Sequence, residues 1–235
     1  PATVSAAAAA PINCWEDLAL LTIRISFEKR GEAAYISLLD LQRVFHRILK
    51  RSGLPVYYTQ GFNPHIYLSF NCPLSLGQES LCESCDIKTE EEAPDLQVWQ
   101  ETLQPYMPHG IRILKIARAV RKSSEIATAE YELTLPENGR AAVDAYNAAP
   151  GVPGAKKTKR GQRELDLKAF VPSLQARPAP AGGWKVSLRL PCASGEGDNL
   201  NPALLLGYFE QQGVQPWQCE VLRTGLLTAE GEEFS

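Results

Sequence analysis

The stretch LTIRISFEKRGEAAYISLLDLQRVFHRILKRSG (residues 21–53) decides the fold class. Apolar and polar residues alternate over 21–28, which predicts a half-buried strand. Gly31 predicts a turn after this strand, and Ser37 is a residue type that caps the start of a helix. Beyond Ser37 the apolar residues recur at helical spacing: Leu38, Leu41, Val44, Phe45, Ile48 and Leu49. A strand therefore leads into an amphipathic helix.

The segments on the C-terminal side repeat this mixture of strands and helices. Apolar runs predict strands at 66–70, 81–88 and 111–119, and Pro94 opens a predicted helix before the last of these. The order is β-α-β-β-α-β, the ferredoxin-like arrangement. The same order is predicted again from strands at 130–135, 164–170, 184–190 and 219–227, a turn at 178–183, and helices at 139–149 and 202–212. The sequence thus predicts an α+β protein of two tandem ferredoxin-like subdomains.

The predicted domain organisation has four parts. Residues 1–19 are an Ala/Pro-rich tail or linker, 20–122 and 123–229 are the two subdomains, and 230–235 are an acidic tail. The chain starts with Pro1 rather than Met, so we expect it to be processed or cut from a longer polypeptide.

The composition is that of a globular protein, with 44% hydrophobic and 22% charged residues. A net charge of −3 and a pI near 5.7 exclude an overall electrostatic attraction to nucleic acid or to a membrane. No apolar run approaches the ~18 residues of a membrane span, and the first residues lack the pattern of a secretory signal. We therefore expect a cytoplasmic protein with no membrane partner.

The cysteines of such a protein are expected to be reduced thiols. Cys82 and Cys85 form one CxxC, but the sequence has no second pair and no histidines at ligand spacing. We interpret these two residues as ordinary strand cysteines and predict no metal site.

The segment QGFNPHIYLSFNCPLSLGQES (60–80) is dense in Gly, Pro, Asn and Ser around a short apolar strand. Asn63-Pro64 favours a turn, and Gly61 allows backbone angles that other residues avoid. Such a loop is suited to present Gln60, Asn63 and His65 to a ligand. A turn with a capping asparagine and a surface histidine explains the same residues, and both interpretations stay open.

This segment also carries a resemblance to a known family. The run SLLDLQRVFHRILKRSGLPVYYTQGFNPH (37–65), followed by LSF, PLSLG and ES, resembles the radical-SAM-linked protein family. This bacterial family of uncharacterised function is found beside or fused to radical SAM enzymes. The second half is similar more loosely, through RGQRELDLKAF (160–170) and RTGLL (223–227).

The resemblance implies a set of functional residues. In the first half the candidates for a binding loop are Gln60, Gly61, Phe62, Asn63, Pro64, His65, Glu79 and Asp86, and in the second half the candidates are Asp166 and Arg223. The chain departs from the family pattern at Leu38, Ile66 and Tyr67, where the family commonly has a histidine and a proline–basic pair. Fine mechanism that depends on those family residues does not transfer to this chain.

The resemblance further implies a radical SAM protein, fused or encoded nearby, as the partner. Radical SAM chemistry needs a CxxxCxxC motif, but Gln78 stands where the first cysteine would precede Cys82 and Cys85. We therefore expect no cofactor in this chain, and an iron–sulfur cluster and S-adenosylmethionine only in the partner enzyme. GxSxG, P-loop and HExxH motifs are also missing, which argues against an enzyme without deciding the question.

Basic residues are clustered despite the acidic total, and such clusters can contact phosphates. The candidate phosphate contacts are Arg43, Arg47, Lys50, Lys157, Lys159 and Arg160. Solvated surface charge explains the same clusters equally simply. Three functions follow as hypotheses: an accessory domain that binds RNA or another substrate for a radical SAM enzyme, an RNA-processing or RNA-modifying enzyme using the His65 loop and a carboxylate, or a docking domain.

Overall fold

The computed structural model describes residues 20–158, 161–193 and 198–234. Its first half contains β1 (Leu21–Lys29), α1 (Leu38–Ser52), β2 (Leu68–Phe70), β3 (Glu79–Thr89), α2 (Leu96–Leu103) and β4 (Ile111–Arg118). Ser37 caps α1 by accepting the Asp40 N–H, and Gly53 ends it with a φ of 70°, a left-handed conformation that favours glycine. The strand and helix predicted for 21–53 are confirmed.

The second half contains β5 (Ile126–Leu135), α3 (Gly139–Ala148), β6 (Pro153–Thr158), β7 (Gly161–Asp166), β8 (Ala176–Pro178), β9 (Trp184–Pro191), α4 (Ala203–Gln211) and β10 (Glu220–Thr228). The predicted strand at 164–170 is confirmed over 164–166 and is wrong beyond Asp166. β7 ends at Asp166, whose carboxylate accepts the Lys168 N–H and so caps a 3₁₀ turn over Leu167–Ala169. That turn directs Leu167 into the core, and β8 takes the place in the sheet that the prediction gave to 164–170.

The strands form one large sheet and one hairpin. The large sheet has the order β4-β1-β3-β10-β5-β9-β8, with β2 also paired to β3, and β6 pairs with β7 in the separate hairpin. Among the described strands, every pairing is antiparallel except that of β10 with β3. The protein is therefore α+β with a large, mostly antiparallel sheet.

Two apolar clusters lie side by side along this sheet. In the first half Ile25 and Phe27 of β1 pack in one cluster with Phe45 of α1 and with Leu103 of α2. In the second half the corresponding cluster joins residues of β5 to α3 and α4; its members include Ala129, Leu133, Val143, Tyr146, Leu205 and Phe209. Each half thus has its own core, and charged residues lie at the junction between the two.

The side of β1 opposite its core residues is polar but paired. Arg24 lies there beside Asp86 of β3 in the strand register, and its guanidinium forms two hydrogen bonds to that carboxylate, at 2.8 and 2.9 Å. The end of the chain folds over this pair, because the Arg24 guanidinium lies 4.2 Å from the centre of the buried Phe234 ring. No helix in the described part of the chain is long and apolar enough to cross a membrane.

Candidate functional site

The QGFNPH segment forms a tight loop closed by its flanking residues. Tyr58 and Ile66 make an antiparallel bridge, and the Thr59 N–H donates to the His65 carbonyl over 2.8 Å. The five residues between the closing pair, Gln60, Gly61, Phe62, Asn63 and Pro64, are all exposed. Gly61 has a φ of 137°, which requires a glycine, and the Phe62 ring is fully exposed.

His65 is held in one orientation by its own loop. Its Nδ1 lies 3.1 Å from the Asn63 carbonyl oxygen and 3.1 Å from Thr59 Oγ1. A carbonyl oxygen can only accept, so Nδ1 carries the proton and donates it. In neutral His65 the lone pair therefore belongs to Nε2, the nitrogen that can accept a proton or a hydrogen bond from a ligand.

A second histidine lies against this loop. The His46 ring on α1 is 6.5 Å from the His65 ring, centre to centre. Partial burial lowers the pKa of His46, and the nearby His65 lowers it further because two positive imidazolium rings would repel. The pair therefore favours the neutral form of His46.

Basic residues extend the loop surface along α1. Arg43, Arg47 and Lys50 are exposed and lie on one side of the helix, since they are three to seven residues apart. Arg43 is bonded to Asp40 at 3.0 Å. Arg47 and Lys50 line a groove of about 350 Å³ whose other members are Val44, Ile48, Arg51, Tyr106 and Pro108. We call the exposed QGFNPH loop and this side of α1 the loop–helix surface.

Of the other three predicted phosphate contacts, one is in a described element. Lys157 is in β6 of the separate hairpin. Lys159 and Arg160 lie outside the described residues.

Glu79 supports the turn before α1 rather than the QGFNPH loop. Its carboxylate accepts the Arg30 Nε–H over 2.7 Å and the Gly31 N–H over 2.6 Å. Gly31 has a φ of 56°, so the carboxylate fixes the backbone at the residue that redirects the chain towards α1. This is a structural role for a residue predicted to bind a ligand.

The two candidate aspartates also have partners of their own. Asp86 accepts from Arg24 and, over 2.9 Å, from the side-chain amide of Asn71. Asp166 accepts the Val152 N–H over 2.8 Å and the Lys168 N–H, and these backbone bonds lower its pKa. Within the described residues, neither aspartate shares a hydrogen-bond partner with His65.

Arg223 lies in a buried polar cluster between the two cores. Its Nη2 donates to the Glu83 carboxylate and, over 2.6 Å, to the Cys72 carbonyl. Its Nη1 lies 3.3 Å from the Cys72 sulfur, while its Nε has no hydrogen-bond partner among the described residues. Lys29 is buried nearby on β1 and donates to the Ala34 and Ile36 carbonyls; burial lowers its pKa.

Glu83 and Lys29 of this cluster were not among the residues predicted from the sequence. A signal was available for Glu83, because residues two apart on a strand share a face and Glu83 shares the parity of the buried Cys85 and Ile87. A carboxylate on the apolar face of a strand needs a cation, and that requirement points to Arg223.

Cys82 and Cys85 do not form a chelating pair. Being three residues apart on β3, they point to opposite faces of the sheet. Burial raises the pKa of both thiols, that of Cys82 to about 11. No group of three or more His, Cys, Asp or Glu side chains in the described part of the chain is placed to hold a metal ion.

Comparison with protein families matches residues 22–202 to the family described as "Uncharacterized protein conserved in bacteria (DUF2344)". The chain belongs to this family. The match covers most of the chain, from β1 to the residue before α4, and so includes the QGFNPH loop. A comparison with curated proteins finds no match.

Proposed function

We propose that the protein is an accessory module that binds single-stranded RNA on its loop–helix surface for a radical SAM enzyme. The observation that carries the proposal is the fully exposed Phe62 ring in a loop that meets the basic helix α1, where the His65 ring lies 6.5 Å from the His46 ring. An aromatic ring in water gains little from the fold, but it can stack on an unpaired base, which contributes about 1–3 kcal/mol per base.

The charges on α1 complement such a ligand. Arg47 and Lys50 line a groove next to Tyr106, and the Arg51 guanidinium lies over the Tyr106 ring at 5.1 Å. Cations along a groove attract the phosphates of a nucleic-acid strand, and this attraction weakens as salt rises. Gln60 and Asn63 supply exposed amides next to Phe62, which can pair with base edges.

The fold supports the proposal through the order of its strands. In the first half, β1 and β2 flank β3, and β3 and β4 flank β1. In the second half, β5 and β8 flank β9, and β9 and β10 flank β5. We infer that each half is a ferredoxin-like unit, because this interleaving is what two β-α-β crossovers in one sheet produce. RNA-binding proteins also use this architecture. This similarity of fold is an analogy and is not evidence of RNA binding.

The radical SAM partnership rests on the resemblance of the 37–80 region. The partner would contribute the iron–sulfur cluster and S-adenosylmethionine in the cytoplasm, and this chain would contribute substrate binding. Copurification of the intact protein with a radical SAM protein supports the partnership, and its failure under gentle lysis counts against it.

The RNA proposal is tested by the binding of the full chain to a labelled, mixed-sequence single-stranded RNA. The variant R43E/R47E is compared with R140E/R189E, which makes the same charge change at exposed arginines of the second half. Arg140 is a close control, because it is bonded to Asp144 on its helix as Arg43 is to Asp40.

We expect R43E/R47E to weaken binding at least tenfold and to reduce the salt slope by about 1 per lost phosphate contact, with little effect of the control variant. Equal losses in the two variants would show a non-specific charge effect. No affinity at about 50 mM salt, where phosphate contacts are strong, would overturn the proposal.

A second candidate is catalysis by His65, favoured by the fixed Nδ1 proton that leaves Nε2 as a base. Loss of RNA processing in His65→Gln, with RNA binding retained, would establish it. A third candidate is docking of a protein partner on exposed apolar side chains, namely Leu38 and Leu39 at the start of α1, Tyr35 in the turn before it, and Leu76 in the loop before β3. Partner capture that persists without RNA and is lost in Leu39→Glu would favour docking.

A further inference from the structure

The two halves of the sheet are joined through few backbone contacts. β3 and β10 pair in parallel at two register positions, Leu222 with Glu79 and Arg223 with Ser80. Side chains therefore carry much of the junction. Gln78 donates to Asn201 over 2.9 Å, and Asn201 donates to Ser75, both across the junction.

Two cysteines, one from each half, meet at this junction. Cys72 lies in the loop before β3, and Cys192 directly follows β9. Their sulfur atoms are 2.7 Å apart although the residues are 120 positions apart in the chain. Both residues are buried and both thiols are free.

We propose that Cys72 and Cys192 are an oxidisable pair that closes into a disulfide across the two halves when a peroxide oxidises Cys72. A disulfide needs its two sulfurs at about 2.05 Å, so they have to approach by about 0.7 Å. No other cysteine pair with sulfurs in contact occurs among the described residues. The inference is independent of RNA binding, since neither residue lies on the loop–helix surface.

The environment of the pair is asymmetric and favours Cys72 as the thiolate. The pKa of Cys72 is lowered to about 7, first by a hydrogen bond from the Cys192 thiol and then by the charge of Arg223, which together outweigh the effect of burial. Cys192 keeps its proton, because donating it to Cys72 raises its own pKa. Only Cys72 lies against the guanidinium, at 3.3 Å.

The chemistry follows in two balanced steps. The Cys72 thiolate attacks one oxygen of hydrogen peroxide, which breaks the O–O bond, forms a sulfenic acid and releases hydroxide, which takes up a proton to become water. The Cys192 sulfur then attacks the sulfenic sulfur, which forms the S–S bond; the leaving hydroxyl and the thiol proton depart as a second water. Two thiols are oxidised, and one peroxide is reduced to two waters.

Arg223 is not released by this reaction. The disulfide has no negative charge, so the Nη1 contact to Cys72 weakens, but Arg223 keeps the Glu83 carboxylate and the Cys72 carbonyl. Oxidation therefore adds a covalent link between the halves while the buried ion pair stays in place.

The test uses the reduced full chain, titrated with hydrogen peroxide, alkylated and digested without reductant. We expect mass spectrometry to find a peptide pair linked through Cys72 and Cys192 that dithiothreitol separates. C219S is the matched control, because Cys219 is half-buried and its thiol donates to the Gln215 carbonyl rather than to another cysteine. C219S keeps the link, whereas C72S and C192S lose it.

Two results would overturn the proposal. One is oxidation of Cys72 to sulfinic acid with no link, and the other is a link that uses a different cysteine in the wild-type chain. Residue-resolved alkylation at different pH values provides a second measurement, which does not require the disulfide to form. We expect a midpoint for Cys72 near pH 7 that rises in C192A, because alanine has no donor and the hydrogen bond is removed. An unchanged midpoint in C192A would refute the paired arrangement.

Discussion

The QGFNPH loop (60–65) and the NCPLSLGQES segment (71–80), which ends in the first residues of β3, are neighbours in the chain, but they differ in their contacts. The first is exposed, and its ring and amide side chains extend from a frame closed by Thr59 and His65. In the second, Asn71, Cys72, Gln78 and Ser80 are buried, and their partners lie in both halves.

This difference shows why the two segments can need particular residues for different reasons. A loop that lies at the junction of two cores needs particular residues so that its buried polar groups are satisfied. An exposed loop has no such need, and the fully exposed Phe62 is the residue on which the proposed RNA contact depends. The family-like segment 60–80 therefore combines a candidate binding loop with buried residues at the junction of the two cores. We call this junction, with Arg223 and Asn201, the joint.

The largest effect is expected at the joint, for Arg223→Ala. This change leaves the Glu83 carboxylate buried without its cation, which costs about 3–5 kcal/mol in the free energy of unfolding. Urea denaturation measures it. Arg189→Ala is the control, because the exposed Arg189–Glu130 pair contributes at most about 1 kcal/mol. If Arg223→Ala lowers the free energy of unfolding no more than Arg189→Ala does, the buried Arg223–Glu83 pair does not stabilise the junction of the two cores.

Phe62→Ala is the matching test of the exposed loop. We expect a change in unfolding free energy within about 0.5 kcal/mol, because a fully exposed ring loses no packing. RNA affinity should fall by about 1–3 kcal/mol, since the stacking contact is lost. Trp217→Ala is the control, as it removes another exposed aromatic ring away from the loop. Equal RNA affinity in the wild type and Phe62→Ala would contradict the proposed role.

A smaller effect is expected for Asn201→Ala. The change removes the hydrogen bonds with Gln78 and Ser75 and the one that Asn201 accepts from the Ala203 N–H. We expect a loss of about 1–2 kcal/mol in the free energy of unfolding, as these bonds are partly solvated. Asn138→Ala removes one exposed bond to the Gly213 carbonyl and should cost less. A larger loss in Asn138→Ala than in Asn201→Ala would show that the Asn201 hydrogen bonds do not hold the two halves together.

The smallest effect is a pH dependence from His46. Its pKa is lowered in the folded state, so below the ordinary value near 6.5 the unfolded chain binds more protons than the folded one. Stability from this residue is therefore full above that pH and is lost as pH falls through 6.5 towards the folded-state value. His46→Gln should flatten this part of the unfolding curve. An identical pH profile would show that His46 is not desolvated by the loop.

Much of the local structure could be predicted from the sequence, and particular residues show where prediction ends. The strand and helix of 21–53 were predictable because alternation, Ser37 and the apolar stripe agree. The end of the 164–170 strand at Asp166 was not predictable, because the Asp166 carboxylate accepts a hydrogen bond from the nearby Lys168 N–H, which a strand pattern does not reveal. Asp86 and Glu79 were predicted to bind a ligand. Their cation partners, Arg24 and Arg30, lie far earlier in the chain, so neighbouring residues do not reveal the pairing.

The sequence by itself determined the α+β class, the position of α1 and the prominence of the QGFNPH loop, since each depends on residues close together in the chain. Only the tertiary structure decided that β10 pairs with β3 and that Arg223 meets Glu83. It also decided that Cys72 meets Cys192. The physical reason is that periodicity reports the face a side chain takes, whereas a partner more than a hundred residues away is chosen by the packing of two cores.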